Sequence, residues 1–355
     1  MAYTTVNNPE LYFQSQIWTG NETARSITFD GSENMSPNFV WIKIRNQSFS
    51  SRMFDSVRGT GKFLYSDTNE PEGTNSATLT SFDSDGFSLG NDTGVNKNSD
   101  TFVSWSWKAG TSFSNDASAT SVGTIDSTGS ISTISGFGVI SYTGTGSAGT
   151  IAHGISTSAP SMVMTKNRED TSSWNIYVRR LGGGGALFLN DDASFDSDST
   201  YFNNGTASTT TFPVGTANTS NGSSDDMIAY VFSNIQGYQK VGTYKGNGSA
   251  TDGTYVHLGF RPAFFLVKGS SGTNSQFTGW FLYDNKRSPF NKTNKILRAD
   301  TNDVEGTSAA INFLSQGIKM KQGSDAMNDV NITYTYYAVA ESPFVNENGV
   351  PNNAR

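Results

Sequence analysis

Apolar residues along this chain come in short runs of strand length, separated by polar stretches rich in Gly, Ser, Thr and Asn, and nowhere hold helical spacing for long. The clearest run is "PNFVWIK", Pro37 to Lys43. It returns as "PSMVMTK" from Pro160 to Lys166 and as "PAFFLVK" from Pro262 to Lys268. Each reads as Pro, a spacer, a mostly apolar run and a closing Lys. Pro suits the entry to a strand, where a missing N–H costs least, and the run behind it reads as a largely buried strand.

Flanking anchors repeat in the same order. "WTGN" at Trp18 matches "YTGT" at Tyr142 and "YKGN" at Tyr244, with Gly-to-Pro spacings of 17, 16 and 16 residues. Downstream, "MFDSVRG" (Met53 to Gly59) aligns with "NIYVRR" (Asn175 to Arg180) and "FLYDNKR" (Phe281 to Arg287). On that alignment copy two keeps Arg179 and has Ile176 where Asp55 would fall. "KFLYSD", "ALFLND" and "KILRAD" follow, and each copy closes on an aromatic run, "FVSWSWK", "MIAYVFS" and "YTYYAVA".

Some seven short β segments in each stretch of roughly 100 residues predict an all-β chain of three tandem homologous antiparallel β-sandwiches, jelly-roll or lectin-like. The expected limits are 13–110, 135–236 and 237–346, with an N-terminal attachment segment over 1–12 and a tail over 347–355. Residues 111–134, almost all small and polar, read as a linker or one extra edge strand. The run from copy two straight into copy three predicts a rigid pair, with copy one docked more independently.

Composition narrows the function. There are 24 Lys and Arg against 31 Asp and Glu, a net charge of −7, and the basic residues are scattered. That disfavours a nucleic-acid groove, which needs a concentrated basic face. Zero cysteines exclude disulfides, thiolate metal sites and cysteine nucleophiles. The N-terminus lacks the features of a signal peptide, and no apolar stretch is long enough for a membrane helix, so a cytosolic origin is expected.

Candidate chemistry is sparse. His153 and His257 take nearly the same place in copies two and three and read as turn residues. "DTNEPEGT" (residues 67–74) and "DTNDVEGT" (300–307) offer Asp67, Glu72, Asp300 and Glu305 as calcium candidates, although a turn capped by Asp and Asn explains them as well. "FDSDG" (Phe82 to Gly86) reads as a hairpin with Gly at positive φ. Asp55 with Arg58, and Asp284 with Arg287, read as intradomain ion pairs. Trp105 and Trp107 share one strand face, as do Tyr230 with Phe232 and Tyr337 with Val339; a place that tolerates Val reads as core. No nucleophile elbow, phosphate loop or metalloprotease motif is present, so neither catalytic residues nor a cofactor are expected.

With "MAYTTVNNPELYFQ", "PNFVWIK", "LTSFDSDGFSLG", "VSWSWKAG", "FRPAFFLVK" and "AESPFVNENGVPNNAR" in place, the chain resembles a family of bacteriophage virion proteins, found in marine and cyanobacterial phages and described as tail-fibre or structural proteins. The resemblance spans nearly the whole chain. It implies a non-enzymatic component of the phage particle that contributes to host attachment. Its partners would be other tail or capsid proteins, further copies of itself (a trimer among the options) and a host surface glycan. A capsid decoration or head-fibre protein is the alternative, and a lectin-like or polysaccharide-degrading protein a second one.

Overall fold

The computed structural model describes residues 3–271, 279–323 and 326–353. The chain is all-β with antiparallel sheets, and helices among the described residues reach only four residues. Three principal sheets share one strand order. In unit one the order is Phe13–Thr19, Thr101–Trp107, Phe39–Ile44, Arg52–Asp55, Lys62–Tyr65. Unit two runs Phe137–Thr143, Asp226–Ser233, Pro160–Asn167, Asn175–Val178, Leu187–Phe188. Unit three runs Gln239–Lys245, Thr333–Pro343, Phe260–Ser271, Phe281–Asp284, Leu297–Arg298. In each unit a smaller sheet, such as Arg25–Ile27 with Phe87–Leu89 and Leu79–Phe82, covers the outer face.

The anchor strands look continuously apolar because both of their faces are buried. Val40, Ile42 and Ile44 point into a core private to unit one, together with Ile27, Phe87 and Leu89. Their neighbours Phe39 and Trp41 point the other way, into a core shared by all three units. Met162 and Met164 of unit two and Phe264 and Leu266 of unit three enter the same shared core, as do Trp105, Trp107, Tyr230, Phe232, Tyr337 and Val339. The aromatic pairs are therefore core, as their spacing predicts. Phe39 stacks on Tyr230 at 4.3 Å between ring centres, and Phe232 meets Tyr337 at 4.7 Å.

Contacts between units run in one direction around a closed ring. The Trp174 indole of unit two donates to the Tyr65 carbonyl of unit one at 2.7 Å. Trp280 of unit three donates to the Phe188 carbonyl of unit two at 2.7 Å. Phe49 of unit one donates its backbone N–H to the Asn302 carbonyl of unit three at 3.0 Å.

Three expectations are corrected by this arrangement, although for residues 111–134 the edge-strand alternative is the reading that holds. Unit one is no more independent than the others, since its Trp105 and Trp107 face lies in the shared core. Residues 111–134 are no linker: Thr111–Asn115 and Ser127–Ser132 pair as strands and extend the sheet of unit two beyond Phe137–Thr143. The pairing satisfies their backbone, so their poor apolar content does not matter at a sheet edge. The N-terminal segment also contacts units two and three. Tyr3 donates its hydroxyl to the Gly259 carbonyl at 2.6 Å, and Thr4 does the same to Gln236 at 2.7 Å.

The third correction is one of register. Phe39 pairs with Asp55 and Phe264 with Asp284, whereas the equivalent Met162 pairs with Val178. Val178, not Ile176, stands where the aspartates stand, and Leu181, not Arg179, takes the place of Arg58 and Arg287. Gly59 and Gly182, each four residues on, share a positive φ and an N–H bond back to residue 55 or 178.

The repeated "TG" and "KG" anchors have a steric cause. A Cβ on Gly20, Gly144 or Gly246 would come within 2.1, 2.0 and 2.1 Å of the carbonyl oxygens of Lys97, Gly222 and Asp329. Beside each lies a wholly buried asparagine, Asn96, Asn221 or Asn328, whose amide donates to two or more acceptors in the surrounding loops. This trio is legible in the sequence only once the strands on either side are aligned.

Candidate functional site

The "DTNEPEGT" loops are docking elements. Each anchor strand ends in a buried lysine that reaches into the loop of the preceding unit: Lys43 to the Thr301 carbonyl at 2.8 Å, Lys166 to Asn69 at 3.4 Å, Lys268 to Asp191 at 2.7 Å. Burial lowers all three ammonium groups to about 8, and neighbouring carboxylates offset it only in part. Two residues past each lysine, a carbonyl accepts from the same loop: Glu72 N–H to Arg168, Phe195 N–H to Ser270, Glu305 N–H to Arg45, at 2.7–2.8 Å.

Two of the three boundaries carry an ionic network. Arg168 grips Glu72 with two donors at 2.9 and 3.0 Å, and Arg45 grips Glu305 with two at 2.9 Å. Behind each glutamate lies a fully buried arginine, Arg58 or Arg287, held 2.5 Å from Asp55 or Asp284 and 3.2 Å from the glutamate. The neighbouring unit completes the set, with the Tyr230 hydroxyl on Asp55 at 2.8 Å and the Trp105 indole on Asp284 at 2.9 Å. Burial pushes Glu72 and Glu305 up, but the arginines outweigh it and hold both below the usual carboxylate range. The Asp–Arg pairs foreseen inside copies one and three are present, and they also serve the boundary.

At the boundary of units two and three all four charged members of this network are replaced, while Tyr337 keeps the place of Tyr230 and Trp105. Val178, Leu181, Phe195 and Ser270 stand in for the aspartate, the buried arginine, the glutamate and the gripping arginine. Leu181 and Phe195 pack against the shared core instead.

Three of the four calcium candidates are thus committed elsewhere. Glu72 and Glu305 face two guanidinium groups each, and Asp300 accepts from the Trp280 N–H at 2.8 Å and from Arg298 at 2.6 Å. Asp67 is raised by burial, an effect that the nearby Lys43 ammonium only partly offsets. Among the described residues no group of three or more His, Asp or Glu could hold a metal ion. His153 is buried; its Nδ1 accepts from the Ile155 N–H at 3.1 Å, and burial lowers its pKa to about 4, so it is neutral and structural. In "FDSDG", Gly86 has φ +101°, as the hairpin reading requires.

His257 lies elsewhere, in a cleft of about 560 Å³ between units two and three. Arg179 and Arg180 border the cleft from unit two, Lys240 and His257 from unit three, with Tyr244, Tyr255 and Tyr336 alongside. Lys240 donates to the His257 carbonyl at 2.8 Å, and its pKa is lowered, first by burial and then by Arg180. The "RR" pair in a chain of scattered basic residues was the available signal for this site.

A family model, a domain of unknown function designated DUF7483, matches residues 8–343 as one unit, and the chain belongs to that family. No curated protein matches the chain.

Proposed function

We propose that this chain is a non-enzymatic structural protein of a tailed-phage particle, a tail fibre or tail-associated adhesion protein that contributes to host attachment. The observation that carries the reading is the division of labour among charged side chains. Arg58, Arg287, Arg45 and Arg168 are spent on joining units, so the body is a stiff scaffold, whereas Arg179 and Arg180 are exposed at an open cleft. The resemblance in sequence to phage virion proteins supplies the setting, and its partners would be other particle proteins and further copies of itself. Gold-labelled antibody on intact particles should decorate the tail, and purified protein should compete with phage adsorption to host cells. Label confined to the capsid shell would sink the tail assignment in favour of a head decoration protein.

A further inference from the structure

The pseudo-threefold arrangement provides an internal control for the cleft. A smaller hollow of about 270 Å³ occupies the same place between units three and one. By strand register Asn285 and Lys286 there correspond to Arg179 and Arg180, Gln14 to Lys240, and Glu341 to Asn234. In that hollow Lys286 is paired with Asp30, and Glu10 and Glu341 belong to the lining. The larger cleft has exchanged these groups for three permanent or near-permanent cations, and among the described residues no carboxylate lines it.

That exchange runs against the rest of the molecule. The chain carries net charge −7, and Arg45, Arg52, Arg58, Arg168, Arg261, Arg287 and Arg298 all sit in ion pairs. The structural need for an arginine at this boundary is also absent, because Val178 and Leu181 fill the buried positions. Strand alternation turns Arg179 outward from Val178, where its guanidinium donates to the Ala207 carbonyl at 2.7 Å.

We infer that the cleft between units two and three binds an acidic saccharide, one that bears a carboxylate or phosphate. Arginine forks match either anion, and Arg180 lies close enough to Lys240 and Tyr336 to act on both electrostatically. Tyrosine rings offer apolar faces with polar tips for a sugar ring, and Tyr255 is 45 % exposed. Ser161, Asn234 and Thr243 supply neutral groups for sugar hydroxyls. A second hollow of about 410 Å³ shares Asn234, Lys240 and His257 with the first, so the groove has room for more than one sugar.

The inference rests on the adhesion reading only for the biological source of the saccharide; binding itself is tested on purified full-length protein. Titration calorimetry at low salt should show galacturonate trisaccharide binding with a Kd on the order of 10–1,000 µM, and neutral maltotriose should not bind. Arg180→Ala and Lys240→Gln should each weaken it at least about 10-fold, salt should weaken it too, and Lys286→Ala in the paired hollow should change nothing. Arg180 is exposed, so an unchanged melting temperature will certify the fold of the first variant. No binding of the trisaccharide at about 10 mM, or binding indifferent to Arg180→Ala, overturns the site. Inorganic phosphate or AMP bound as tightly as the trisaccharide overturns the saccharide assignment. If Arg180→Ala abolishes trisaccharide binding but leaves competition with phage adsorption intact, the site stands and its role in adhesion falls.

Discussion

Asp55→Asn probes the boundary network most directly. The Asp55 carboxylate is wholly buried and accepts from Arg58 Nε at 2.5 Å, from the Arg58 and Val57 N–H groups at 2.8 and 3.1 Å, and from the Tyr230 hydroxyl at 2.8 Å. Asparagine keeps the shape and removes the charge. Arg58, itself fully buried, is then left with Glu72 at 3.2 Å as its only anion. Taking one partner from a buried pair costs about 3–5 kcal/mol, and the remaining glutamate argues for the lower end. Urea unfolding followed by far-ultraviolet circular dichroism should therefore show a loss of about 3 kcal/mol at unchanged m. The companion variant imports the apolar boundary with Asp55→Val, Arg58→Leu, Glu72→Phe and Arg168→Ser, and adds Tyr230→Phe because the Tyr230 hydroxyl would lose its Asp55 acceptor. Complete replacement of a buried ionic set is often neutral or stabilising, so the five changes should recover most of what the single change loses. A loss below about 1 kcal/mol for Asp55→Asn, or a quintuple variant less stable than the single one, would refute the reasoning.

Further expectations follow from the same features. Because one core joins the three units, thermal unfolding should be a single transition coincident by tryptophan fluorescence and circular dichroism; two resolved steps would contradict it. Lys43, Lys166 and Lys268 have folded pKa values near 8 against 10.5 unfolded, so the unfolded chain binds more protons between those values and stability should climb with pH there. Above about 10 the unfolded tyrosines ionise while Tyr230, Tyr238 and Tyr337 resist, which reverses the trend; a melting temperature flat from pH 8 to 10 would count against the buried lysines. Calcium in place of chelator should leave the melting temperature unchanged, since Glu72 and Glu305 are held by arginines; a clear rise would reinstate the metal reading.

Much of the fold was legible because strands buried on both faces leave dense apolar runs, and three such runs with a common Pro and Lys set the register. The aromatic closing strands could be aligned for the same reason: Trp105, Tyr230 and Tyr337 do one job. The slip at "NIYVRR" shows where legibility ends. Arg179 resembles Arg58 chemically, yet the true counterparts Val178 and Leu181 resemble nothing in the other copies. Their replacement makes sense only beside Phe195 and Ser270, which no local pattern connects to them. The docking role of "DTNEPEGT" was hidden for a related reason, as its partners lie in another unit and only the fold brings them together. What read as a capped turn is a piece by which one unit holds the next.

The closure of the ring has a consequence for synthesis. Arg45 and its partner Glu305 are 260 residues apart in the chain. At about 5–20 residues per second, Arg45 is made roughly 13–50 s before the glutamate it grips exists. For almost the same interval Lys43 awaits a partner that has not been made, and the apolar face meant for the shared core is open to other nascent chains. Expression at lower temperature, or with a holdase present, should raise the yield of folded protein, and the window of exposure is set by the length of the polypeptide rather than by any single weak contact.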